Sequence, residues 1–135
     1  AFIPAGYVAD LLTRLGLYQK LAKLDSLEQI EPAAREFVRR FGQPPEEVEN
    51  LLYAIRIKIL AAKAGIESIT TERGEIVLNR LEGLRFDRVQ LEPKLRSLRL
   101  PPGSITVGGM QLHLHPKRIG EGWRGVLEEI LTKIG

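Results

Sequence analysis

Three stretches of the chain carry apolar residues at three- and four-residue intervals, the spacing of one face of an α-helix. The first runs from Val8 to Leu24, with Val8, Leu11, Leu12, Leu15, Tyr18 and Ala22 on the stripe and Asp10, Arg14, Gln19 and Lys23 between them. Gly16 lies inside it and marks either a close backbone contact or a surface position. The second runs from Ser26 to Arg40 through Leu27, Ile30, Ala34, Phe37 and Val38, with Phe41 at its end. Ser26 and Gln29 have the spacing of a capping box, while Pro32 should kink this helix near Glu28 or mark its true start; the kinked helix is favoured. The third, about Pro45 to Ala64, repeats Val48, Leu51, Leu52, Ile55, Ile59 and Leu60, with Ile57 off the stripe and Gly65 as the stop. At 1.5 Å per residue it is about 30 Å long. Three such helices should gather antiparallel around a shared core.

After Gly65 the period shortens. Ile66–Thr71 and Glu75–Asn79 flank Glu72-Arg73-Gly74, and Ser104–Val107 and Met110–His115 flank Gly108-Gly109, so two hairpins are expected. Trp123, Val126, Leu127, Ile130, Leu131 and Ile134 restore the helical spacing. Between the hairpins, Leu81 to Leu100 fits neither period, and Pro93 is expected to open a short helix there. With no internal repeat and no long linker, the pattern predicts a single α+β domain over 1–135. Three amphipathic helices (1–64) precede a small antiparallel sheet of hairpins with a closing helix (65–135).

The stretch Arg39–Val48 is the sharpest punctuation. Gly42 is placed to close the second helix in a left-handed conformation, and Pro45 fits the first turn of the third. Glu46, Glu47 and Glu49 then fall where a helix dipole favours negative charge. Glu36, Arg39, Arg40, Glu46 and Glu47 thus ring a rigid corner that could serve as a protein-docking surface, although dipole complementation and solubility account for the same charges.

Composition narrows the chemistry. A chain of 135 residues without cysteine has no disulfides, thiolate zinc site or cysteine nucleophile, and fits a reducing, cytoplasmic setting. No apolar run approaches the roughly 20 residues that span a bilayer. The chain begins Ala1-Phe2-Ile3-Pro4 without an initiator Met, which points to processing or to a piece of something larger. A net charge of +3 and 6% aromatics do not by themselves mark a nucleic-acid binder. Arg80, Arg85, Arg88, Lys94, Arg96 and Arg99 nevertheless outnumber Glu82, Asp87 and Glu92 in one segment. Arg85, Arg88, Arg96 and Arg99 are the candidate phosphate contacts of an accessory nucleic-acid surface, with a solvated face as the plain alternative. There is no phosphate-binding loop, helical His-Glu zinc motif or Gly-flanked nucleophile, and Ser104 has no such context. His113 and His115 share a strand face, a spacing open to two metal ligands or to an unrecognised hydrolytic site, with no acid beside them in sequence.

Phe2-Ile3-Pro4, Tyr7-Val8, Arg14-Leu15, Tyr18, Lys20-Leu21-Ala22, Glu36, Arg40-Phe41-Gly42, Pro45, Val48, Leu51-Leu52 and Ala64-Gly65-Ile66 together resemble the C-terminal domain of the bacterial transcription-repair coupling factors. The match covers roughly residues 1–79; beyond Arg80 only the general plan corresponds. The resemblance implies a large bacterial, cytoplasmic parent, an ATP-driven DNA translocase that displaces stalled RNA polymerase and recruits excision repair. This chain lacks the ATPase motifs, so ATP and Mg belong to the parent's motor domains, and a monomeric domain without catalysis, cofactor or membrane contact is expected. In that family the domain packs on an N-terminal UvrB-like module of the same polypeptide and hides its UvrA-binding surface. The acids just before the Arg-Phe-Gly corner face basic residues of that module. Glu36 retains one of them; the second position, usually Asp, is Arg39 in this chain.

Overall fold

A computed structural model describes residues 11–135 and, within the first helix, the side chains of residues 16, 17 and 19 onward. The chain forms two compact units that meet between Ile59 and Leu60, inside a continuous helix. The first unit contains α1 (Leu11–Ala22), α2 (Leu27–Phe41) and most of α3 (Glu46–Lys63). Leu17 and Leu21 of α1, Phe37 of α2, and Val48 and Leu52 of α3 make one buried cluster, against which Leu24, Ala34, Phe41, Leu51 and Ile55 pack. Each helix contributes side chains about one turn apart, the condition for three amphipathic faces to share a core.

On α1 the described side chains add two core residues that the expected stripe does not include. Leu17 and Leu21 are buried and Ala22 is exposed. The expected start at Val8 and the side chains of Leu11, Leu12, Leu15 and Tyr18 lie outside the described residues. Gly16 is exposed, and nothing lies within 4 Å of where a Cβ would sit, so it is a surface glycine.

The second helix starts at Leu27 and runs through Pro32 to Phe41, so Pro32 does not mark its beginning. Half of the anticipated capping box forms, shifted by one residue. Gln29 Oε1 accepts from the backbone N–H of Asp25 at 2.9 Å, while the Ser26 side chain makes no capping bond. In α3 the off-stripe Ile57 is buried.

The second unit is a four-stranded antiparallel sheet with helices. Its strands are β1 (Ile66–Glu72), β2 (Glu75–Arg80), β3 (Ile105–Val107) and β4 (Gln111–Leu114), in the order β1-β2-β4-β3. The β1–β2 turn is Arg73-Gly74, with φ of 53° and 78°, the two positive values of a type I′ turn. The β3–β4 connection behaves differently from expectation. It spans Gly108 to Gln111, closed by Gly108 N–H donating to the Gln111 carbonyl at 2.8 Å, and neither glycine has positive φ. The Arg85 guanidinium lies where a Cβ on Gly109 would project, so a side chain there would have to displace the end of that exposed arginine.

The remaining helices are α4 (Arg88–Arg96), α5 (Pro116–Ile119) and α6 (Trp123–Ile134). Asp87, not Pro93, opens α4: its carboxylate accepts from the N–H groups of Val89 at 3.1 Å and Gln90 at 3.4 Å, and Pro93 sits inside the helix. The fully buried side chains of this unit are Val77, Leu78, Leu112, Leu114, Ile130 and Leu131. Leu78 pairs with Leu112 and Ile76 with Leu114 across β2 and β4, so one sheet face is apolar; the alternating residues Asn79, Gln111 and His113 occupy the other together with the buried Val77, which pairs with His113. No helix among the described residues is long and apolar enough to cross a membrane.

Candidate interdomain docking corner

The corner between α2 and α3 forms as the sequence anticipates, with two changes of detail. Gly42 has φ +84° and ψ −168°, which is not the left-handed helical well but an extended region open essentially to glycine alone. Its N–H still closes α2 on the Val38 carbonyl at 2.9 Å. Pro45 precedes α3, and its carbonyl accepts from Val48 and Glu49 at 3.0 and 3.2 Å, so Glu46 and Glu47 lead the helix as exposed first-turn acids.

One turn before the corner, Glu36 receives Lys20 Nζ of α1 at 3.2 Å, with Arg40 Nη1 at 3.9 Å one turn further along α2. The Lys20 hydrogen bond and charge, aided by Arg40 and Arg39 and opposed by partial desolvation, hold the Glu36 carboxyl below the usual range. Arg40 also lies over the Phe41 ring, 5.0 Å from its centroid. Beneath these groups is a cleft of about 180 Å³ between α1 and α2, with Leu17, Leu21, Leu24, Pro32, Ala33, Phe37 and Phe41 in its wall and Lys20, Glu36 and Arg40 among its lining residues. Arg39 is exposed, as are Glu46 and Glu47. The patch thus sets an ionised carboxylate, paired with Lys20 and Arg40, beside an apolar cleft, with the exposed acids Glu46 and Glu47 across the turn.

The basic segment divides. Arg80 is half-buried, stacks 4.9 Å from the Phe86 centroid and donates to the Ala64 carbonyl, which makes it a structural arginine. Arg85 borders a shallow cleft with Lys94 and the end of α6. Arg88, Arg96 and Arg99 line a separate cleft of about 450 Å³ against β3, where Arg88 pairs with Glu92 at 3.4 Å.

Tertiary structure also gives the two histidines an acid that sequence adjacency could not reveal. Glu75, at the start of β2, meets His113 Nδ1 at 2.7 Å with one carboxylate oxygen and His115 Nδ1 at 3.3 Å with the other. The hydrogen bond with His113 is the main influence holding the Glu75 carboxyl low. His115 Nε2 faces the Thr106 hydroxyl at 3.1 Å, and His113 Nε2 faces Gln111 Oε1 at 3.3 Å. Gln111 continues through Asn79 to Ser68, a polar ladder across the solvent face of the sheet. No group of three or more such side chains among the described residues is arranged to hold a metal ion. Ser104 is buried and spends its hydroxyl on the Pro101 carbonyl at 2.6 Å.

A family model described as the TRCF domain matches residues 1–89, a span that includes the whole corner. The transcription-repair-coupling factor of Rickettsia bellii is 40% identical over 68 residues, covering 50% of this chain and 6% of that protein. The protein of the same name from Buchnera aphidicola is 32% identical over 101 residues, covering 70% of this chain and 12% of the relative. The matched part is therefore a small fraction of the relatives' length. A crystal structure of the C-terminal domain of transcription-repair coupling factor superposes with a TM-score of 0.78 over 98% of this chain and 83% of that one, at 22% identity, and has the same fold.

Proposed function

Because the chain belongs to the TRCF domain family, we propose that it is a regulatory, non-catalytic domain that docks on a UvrB-like module of its own parent polypeptide through the Glu36 corner. In this reading the docked domain covers the surface to which UvrA would bind and restrains an ATP-driven translocase until RNA polymerase is engaged. Release then exposes a site that was present but masked, a two-state equilibrium biased by one interface. The observation that carries the reading is Glu36 itself, a surface carboxylate kept ionised by Lys20 and Arg40 beside an apolar cleft.

Arg39 stands where the family pattern places a second acid, so the docking charge rests on Glu36 with Glu46 and Glu47 across the turn. The decisive measurement is association of this chain with the separately produced UvrB-like module by calorimetry. Binding is expected, and Glu36→Arg should weaken it by roughly tenfold or more, since a cation would face the module's basic groups. An unchanged affinity removes Glu36 from the interface, and absence of any binding by the native chain overturns the docking reading.

A further inference from the structure

The second unit presents another surface, independent of the Glu36 corner. Strand β3 ends the sheet, paired with β4 on one side and with no strand on the other among the described residues. The bonds from His115 N–H to the Ser104 carbonyl, at 2.9 Å, and from Gly108 N–H to the Gln111 carbonyl fix the phase of the β3–β4 ladder. Antiparallel ladders alternate, so Thr106 spends its backbone groups on His113, while the N–H and C=O groups of Ile105 and Val107 point away from β4. The cleft beside β3 is lined by the consecutive residues Ser104, Ile105, Thr106 and Val107, which alternate between its faces, so it runs along the strand. Its opposite wall is α4, where Arg88, Glu92 and Arg96 recur at four-residue spacing and Arg99 follows just beyond the helix. Three guanidiniums stand against one carboxylate, and Glu92 is already paired with Arg88.

We propose that this cleft is a docking groove for an extended acidic peptide segment, which adds as a further strand to β3 and sets its Asp or Glu side chains against Arg88, Arg96 and Arg99. Unpaired backbone groups supply the register, as in other strand additions, and the guanidiniums supply a preference for carboxylates. The apolar Leu95 and Leu100 in the same wall suit alternate aliphatic side chains of such a segment. A nucleic-acid strand fits less well, because no aromatic side chain lines the cleft for base stacking and a phosphate backbone has no ladder to pair with Ile105 and Val107.

The test uses the whole chain and a short fluorescent peptide alternating Val and Glu. Saturable binding is expected, with shifts of the Ile105 and Val107 amide signals and none when Glu is replaced by Lys in the peptide. Val107→Pro removes an outward N–H without touching the β4 ladder and should weaken binding about tenfold or more. Arg96→Glu, at an exposed helical position that leaves the strand intact, should weaken it comparably. Binding that ignores both substitutions, or amides at Ile105 and Val107 that do not respond, overturns the proposal. So does a single-stranded oligonucleotide that displaces the peptide and is itself sensitive to Arg96→Glu but not to Val107→Pro, since the groove would then recognise phosphate.

Discussion

Glu36 shows how much a single side chain depends on its neighbours in space. Its carboxyl is held below the ordinary range chiefly by Lys20, sixteen residues earlier, so the interaction belongs to the folded state. A lowered folded value means that the stabilisation is fully present above the unfolded carboxylate range and is lost as pH falls through the folded value. The melting-temperature difference between the native chain and Glu36→Gln should therefore be present near pH 7 and close as the solution is taken from about pH 5 toward pH 2. High salt should shrink the same difference at neutral pH, because the pair is solvent-facing. Gly42 makes a stricter demand on residue type. Its φ and ψ lie where a Cβ is not tolerated, so Gly42→Ala should destabilise the first unit by about 1–3 kcal/mol even though open space surrounds it, measured by chemical denaturation.

At the scale of elements, the long periodic segments were readable and the short ones were not. The last helix follows its apolar spacing closely, burying Leu127, Ile130 and Leu131 on one phase, whereas α3 also buries Ile57 and Ala61 off its stripe. The region from Leu81 to Leu100 was ambiguous because α4 buries just Leu91 and leaves Val89 83% exposed, which erases the amphipathic signal. What defines α4 is its cap. Asp87→Ala should cost about 1 kcal/mol and be seen as earlier loss of amide protection at Val89 and Gln90 than elsewhere in the second unit. The Gly108-Gly109 pair illustrates a different limit: two glycines suggest a tight turn of positive φ, but neither adopts one, and what lies against Gly109 is the Arg85 guanidinium, distant in sequence.

For the whole molecule, the docking reading places the regulatory consequence in the parent protein. Glu36→Arg in the full-length polypeptide should raise both UvrA binding and basal ATPase activity if the corner restrains the motor; unchanged values for both would show that it does not. The α+β class, the order of helices and hairpins apart from the short α5, and the family resemblance through the Arg40-Phe41-Gly42 turn followed from the sequence alone, because hydrophobic period and turn chemistry are local and survive without knowledge of what packs where. The tertiary structure decided the rest. It brought Lys20 to Glu36, joined Glu75 to both histidines, separated Arg85 from Arg88, Arg96 and Arg99, and left the outer edge of β3 open beside those three arginines. Each of these depends on residues far apart in the chain, and no local pattern records which distant side chain will arrive at hydrogen-bonding distance.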